Sequence, residues 1–191
     1  MKISEIKLPQ VVGICGVARC GKDTVCLLSQ KILEKTKQKV MRAGFADSVK
    51  ADLHNLLVKK VGISAYTEDS DEKKLIRPLM VEYGTGLMRR INKEVWINRM
   101  EPNLDLAKTL GVSLFITDVR YENEVEWIKN NGGKIVHVEQ EGKSAANEEE
   151  ENNDPVIKKL ADEHIYWKEV GSDKLLSLKP KVTKVLKSIS C

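Results

Sequence analysis

Residues 11–24 read VVGICGVARCGKDT: an apolar run, Val11–Cys15, then G-x-x-x-x-G-K from Gly16 to Lys22, then Asp23 and Thr24. An apolar strand followed by this spacing predicts a turn whose glycines let successive backbone N–H groups point inward, with the following helix adding its N-terminal dipole. That is a cradle for anions, and it selects an α/β fold, because a phosphate-binding loop is a strand-to-helix connection. Gly16, Arg19, Gly21, Lys22, Asp23 and Thr24 are the candidate residues for a nucleotide's phosphates. Lys22 is placed to meet the β- and γ-phosphates as a point charge, and a hydroxyl after it to help hold a metal ion. The position usually held by Ser or Thr is Asp23 here, and Thr24 is displaced by one residue. The bland reading is a chance glycine-rich turn.

Outward from the loop, apolar runs alternate with amphipathic stretches. Residues 24–35 repeat Val25, Leu28 and Ile32 on one helical face. Residues 40–46, 112–117, 135–139 and 164–170 read as further strands, the second and third bounded by Gly111 and by Gly132-Gly133. Five strands spaced by helices predict one parallel sheet flanked by helices within a single domain, residues 1–191. Two segments break the alternation. Residues 47–111 offer helical patterns and no convincing strand, as an inserted binding subdomain would. Residues 140–161 are polar and carry Glu148-Glu149-Glu150-Glu151, which reads as a solvated surface loop or as a lid over the phosphates. Near the C-terminus, Pro180 kinks a helical pattern or starts its second half.

Composition narrows the class. A chain of 191 residues, 41% hydrophobic and 31% charged, has room for one buried core and is neither disordered nor fibrous. A net charge of +4 is too small and too dispersed for a stable nucleic-acid complex. Cys15, Cys20, Cys26 and Cys191 have neither zinc-site spacing nor the density of a disulfide scaffold. No apolar run is long enough to span a membrane, and residues 1–10 lack a signal-peptide core. A cytoplasmic location, in a cell or an infected host, is expected.

Two further constellations carry chemistry. Thr117-Asp118-Val119-Arg120 ends an apolar strand, and in an open α/β sheet ligands lie beyond the carboxyl ends of strands. Asp118 is a candidate to assist a metal or to accept a proton, and Arg120 to clamp phosphate oxygens. Helix capping by Asp118 beside a surface arginine is the alternative. The third cluster, Arg77, Tyr83, Gly84, Thr85, Arg89, Arg90 and Trp96, combines cations with an aromatic suited to stacking on a base. Arg and Trp at such spacing more often mark salt bridges and core packing than a binding site.

Together the three constellations resemble the deoxynucleoside monophosphate kinases of the bacteriophage and large DNA virus type. The resemblance rests on Gly16–Thr24, on Phe45-Ala46-Asp47 with Lys50, on the block from Tyr83-Gly84-Thr85 through Arg89 to Trp96, and on Thr117-Asp118-Val119-Arg120 through Glu124. It implies a P-loop kinase fold with a helical acceptor-binding insertion and a lid, ATP and Mg²⁺ as cofactors, and a nucleoside monophosphate acceptor of the deoxy series. Carried over, Lys22, Asp118 and Arg120 are catalytic and Asp23, Thr24 and Asp118 face the metal. Lys50, Arg77, Tyr83, Gly84, Thr85, Arg89, Trp96, Arg120 and Glu124 face the acceptor. Family members are often dimeric, which leaves a homodimer open.

The chain departs from the family at Pro78 and Val81, where a basic residue and a glutamine are common, and it has no arginine after Arg120. A lid arginine contributes roughly 10³–10⁵ in rate in related phosphoryl-transfer systems, so Lys143, Lys158 and Lys159 are the cations left to replace it. Two rivals stand beside a nucleotide kinase: a kinase of another small phosphorylated metabolite, similar to animal phosphomevalonate kinases, and a nucleotide-binding module without turnover.

Overall fold

The computed structural model describes residues 2–34, 36–168 and 172–191. They divide into two compact units, residues 1–43 with 102–191, and residues 44–101. The inserted unit thus starts earlier and ends earlier than the 47–111 expected from the sequence.

The first unit holds all five strands: β1 (Val11–Cys15), β2 (Val40–Ala43), β3 (Ser113–Val119), β4 (Lys134–Gln140) and β5 (Glu163–Trp167). They form one sheet in the order β2-β3-β1-β4-β5, with every neighbouring pair parallel. Its helices are α1 (Lys22–Leu33), α5 (Glu122–Asn130), α6 (Glu148–Leu160) and α7 (Lys179–Ser188). Strand alternation sorts side chains between two faces. Val12, Ile14, Phe115, Val136, Val138, Ile165 and Trp167 join Val25 and Leu28 of α1 and Val182, Val185 and Leu186 of α7 in one core. Helices α5 and α6 pack on β1 and β4. Glycine is required at position 13, where a Cβ would come within 2.7 Å of both Ile128 and Ile135.

The second unit contains α2 (Phe45–Val61), α3 (Ser70–Val81), a π-helix over Glu82–Arg89, and the start of α4 (Val95–Leu110), which runs on into the first unit. Asp69 caps α3 by accepting from the N–H groups of Asp71 and Glu72, an arrangement worth about 1 kcal/mol. The π-helix coincides with Tyr83-Gly84-Thr85 to Arg89. Such widened turns recur at functional sites.

The structure differs from several sequence expectations. Helix α2 starts at Phe45, so the strand expected over 40–46 ends at Ala43. β3 continues through Asp118 to Val119. The polar 140–161 segment is no loop: Asn147 caps α6 by accepting from the Glu150 N–H, and Pro155 sits inside the helix. Residues 35, 169 and 170, the ends of the helix and strand expected over 24–35 and 164–170, lie outside the described residues. Pro180 does start the last helix, at its first turn. Among the described residues, no helix is long and apolar enough to cross a membrane.

Candidate active site

The loop between β1 and α1 has backbone angles that its glycines make accessible. Gly16 and Gly21 have φ of 126° and 99°, and Arg19, at 62°, is the single non-glycine residue with positive φ among those described. Each glycine also sits where no side chain fits. A Cβ on Gly16 would lie 2.2 Å from the Val138 carbonyl oxygen, and one on Gly21 would lie 2.4 Å from the Trp167 ring. Trp167 also donates its indole N–H to the Cys20 carbonyl at 2.9 Å, so the last strand buttresses the loop from beneath. Burial pushes the Cys20 thiol up, and the loop carries a neutral sulfur.

Lys22 folds back over the loop. Its Nζ donates to the carbonyl oxygens of Gly16 and Val17, both at 2.7 Å. Asp23 is exposed and pairs with Arg42 of β2 at 3.4 Å, and Thr24 is half-buried beside it.

The cradle already holds an anion supplied by the chain itself. Glu150, 6% exposed, accepts from the Ala18 N–H through Oε2 at 3.0 Å, and its Oε1 lies 3.3 Å from Nη1 of Arg120. Burial works against its charge. The N–H groups of Ala146 and Ala18, then Arg120 and Lys22, outweigh it and hold the carboxyl below the usual glutamate range. A carboxylate held by a loop N–H, a guanidinium and a nearby ammonium is what a phosphate oxygen would find there, so the residues present fit a phosphate tail. Glu149 is bound alongside, accepting from the Tyr121 hydroxyl. A small cleft is lined by Gly16, Val119, Arg120, Glu150, Asp154 and Ile157, among others.

Arg120 is positioned from its backbone. Glu124, 1% exposed, accepts through Oε2 from the N–H groups of Arg120 at 2.7 Å and Tyr121 at 3.2 Å, closing the first turn of α5. Glu124, which the resemblance places at the acceptor site, thus caps α5 and holds the backbone of Arg120. Just upstream, β1 pairs Gly13 with Ile116 and Cys15 with Val119. One residue, Ile14, thus stands against two, Thr117 and Asp118, and this bulge sits at the strand's exit, where bulges re-aim side chains. Asp118 is half-buried within it and Thr117 is buried.

The remaining candidates lie in the helical unit. Gly84 is buried, and a Cβ there would meet Val49 at 3.3 Å. Trp96 is 2% exposed, donates its indole N–H to the Gly84 carbonyl at 3.1 Å, and has the Arg99 guanidinium 5.0 Å from its ring. Trp96 thus packs against the π-helix and ties down Gly84. Tyr83 is the less buried aromatic, its hydroxyl donating to Asp52 at 2.9 Å, with Arg99 on the same carboxylate. Lys50 lies 3.6 Å from Asp47 and 6.0 Å from the centre of the Tyr66 ring. Arg77 is exposed, while Thr85 and Arg89 are half-buried. Of the cations considered as replacements for a lid arginine, Lys158 is paired with Glu139 at 2.6 Å. Trp167 and Glu150 are the residues contacting the loop that sequence reasoning missed. A tryptophan closing the last strand is a weak signal for the first, and the second was hidden in an acidic run.

With this geometry in place, the deoxynucleotide monophosphate kinase family profile matches residues 32–154, more than half of the chain, a span that begins after the phosphate loop. No curated protein matches the chain. Among solved structures, TT1252 from Thermus thermophilus is similar at 16% identity over 94% of this chain and 98% of that one, with a TM-score of 0.43.

Proposed function

We propose that this chain, which belongs to the deoxynucleotide monophosphate kinase family, transfers the γ-phosphoryl group of ATP to a deoxynucleoside monophosphate in a single in-line step. Its α/β architecture, a five-stranded parallel sheet flanked by helices, is that of a P-loop kinase. The observation that carries the proposal is the anion site itself, where Ala18 and Arg120 hold the carboxylate of Glu150.

Bound Mg²⁺·ATP supplies the transferable group and part of the charge compensation for its tail. Asp23, Thr24 and Asp118 are the oxygen donors offered to the metal, a set suited to a hard cation. The chain's own contribution is positioning and electrostatics. Lys22 exchanges the carbonyls of Gly16 and Val17 for phosphate oxygens. Arg120, held from behind by Glu124, faces the anion with a planar fork of donors. Asp118 takes the proton of an acceptor phosphate that reaches the site protonated. Acceptor recognition falls to Arg77, Tyr83, Thr85 and Arg89 of the helical unit with Lys50, and α6 excludes water once the substrates are in place.

A coupled assay offering Mg²⁺, ATP and each of the four common deoxynucleoside monophosphates tests this reading. ADP release that depends on one or more acceptors is expected, as is its loss in Lys22→Ala and Arg120→Lys. Nucleotide binding without transfer to any acceptor would instead identify a binding module without turnover, the reading that an arginine-free segment after Arg120 favours.

A further inference from the structure

Alternation along β4 and β5 brings His137, Glu139 and His164 onto the face of the sheet opposite α1 and α7, away from Val136, Val138 and Ile165. His137 and His164 are register partners on adjacent parallel strands, with ring centres 5.8 Å apart. One ligand atom from each of the three residues lies within 4.8 Å of the others.

His137 supplies the independent observation. It is 1% exposed, and its Nε2 lies 3.0 Å from Oδ1 of Asp154 on α6. An ionised carboxylate only accepts, so this nitrogen carries the proton and Nδ1 is left as a bare lone pair in the neutral ring. That Nδ1 is buried with no hydrogen-bond partner among the described residues, and the group near it, Oε1 of Glu139 at 3.4 Å, is another acceptor. A buried lone pair left unsatisfied beside a carboxylate oxygen is a place where a cation shared by the two would relieve the cost of burial.

We propose that His137, Glu139 and His164 form a binding site for a divalent transition-metal ion of the Zn²⁺ class, with Asp154 orienting His137 through its other ring nitrogen. A carboxylate on the far nitrogen is the usual support for a metal-bound imidazole. Two imidazoles and one carboxylate suit Zn²⁺ or Co²⁺ and are a poor match for Mg²⁺ or Ca²⁺, which take oxygen ligands. In a tetrahedral site with bonds of about 2.0–2.1 Å, neighbouring ligand atoms stand about 3.3 Å apart. The His137–Glu139 pair already has that spacing, and His164, exposed on the edge strand, closes in to complete it. Solvent reaches the fourth position past His164. Lys158 now neutralises Glu139 from 2.6 Å, and its side chain, 46% exposed, has a flexible stem, so the ion displaces its ammonium into water. The site pins β4, the edge strand β5 and α6 together, and it shares no residue with the oxygen donors proposed for Mg²⁺.

The test uses the full chain, stripped with a chelator and free of nucleotide. Zn²⁺ is titrated in competition with a chromophoric chelator, and Co²⁺ is followed by its visible absorption. One ion per chain with the spectrum of a four-coordinate nitrogen–oxygen site is expected. Binding should weaken by about 10–100-fold in Asp154→Asn, be lost in His164→Ala, tighten in Lys158→Met and stay unchanged in Cys191→Ser. Failure of the native chain to bind either ion would overturn the proposal and leave His137 as a core histidine held by Asp154. So would equal binding by His164→Ala, which alters an exposed side chain and is checked for folding by circular dichroism.

Discussion

The amide N–H of Ala18 and the carboxylate of Glu150 meet at 3.0 Å, although 132 positions separate them in the chain. The phosphate loop of β1–α1 is thereby closed by a side chain from the first turn of α6. Arg120 joins the same carboxylate, so the loop, the end of β3 and α6 converge on one anion. On the proposed reading, a phosphate tail entering the cradle competes with Glu150 for the same donors.

Removing that competing charge should strengthen nucleotide binding. Glu150→Gln keeps an acceptor for the Ala18 N–H and deletes the negative charge facing Arg120. The expected change is about tenfold tighter binding of ADP or ATP, equivalent to about 1.4 kcal/mol. Fluorescent-nucleotide titration measures it, and unchanged or weaker binding would show that Glu150 does not occupy the phosphate position.

Glu124 separates a positioning role from a substrate-binding one. Glu124→Ala deprives the N–H groups of Arg120 and Tyr121 of their acceptor, at a cost of about 1 kcal/mol in stability. It should lower kcat by misplacing Arg120 while leaving the acceptor KM nearly unchanged. Glu124→Gln retains an acceptor oxygen and should recover most of kcat. A large rise in KM in the Gln variant would instead place Glu124 on the substrate.

In the helical unit, Trp96 and Tyr83 should behave oppositely. Trp96→Phe leaves the buried Gly84 carbonyl without its donor and should lower stability by about 1–3 kcal/mol, with base preference unaltered. Tyr83→Ala removes the accessible aromatic and should raise the acceptor KM with little change in Tm. Thermal unfolding alongside steady-state kinetics distinguishes the two, and the reverse pattern would assign the stacking role to Trp96.

What could be read in the residues was decided by locality. Val11–Cys15 followed by G-x-x-x-x-G-K states strand, turn and helix within fourteen positions, and the structure agrees to the residue for β1. Strand β2 was overextended because Gly44-Phe45-Ala46 looks apolar enough for a sheet, whereas Phe45 opens α2 and buries its ring there. Helix α6 escaped because EEEENNDP carries no apolar periodicity. Its order comes from a local cap at Asn147 and from Ile157, Glu150 and Asp154 meeting partners remote in sequence. Glu124 and Trp96 were placed at the acceptor by resemblance, whereas their burial and their bonds to Arg120 and Gly84 depend on packing that a motif does not state.

The charge of Glu150 also sets a pH dependence whose sign is fixed. Its carboxyl is held below the ordinary value of 4.5, burial being outweighed by the Ala146 and Ala18 N–H groups and then by Arg120 and Lys22. A carboxylate depressed in the folded state adds stability that is fully present above its unfolded pKa and disappears as pH falls through the folded one. Relative to Glu150→Gln, the native chain should therefore keep a constant electrostatic advantage between pH 7 and about 5. That advantage should shrink steadily below the glutamate range as protonation frees Ala18 and Arg120 from an anion. Urea unfolding of both proteins across this interval, compared as a difference so that other carboxylates cancel, reads the effect directly. A difference that stays flat to the acid limit would mean that the cradle does not hold Glu150 as an anion, and the competition proposed between α6 and a phosphate tail would fall with it.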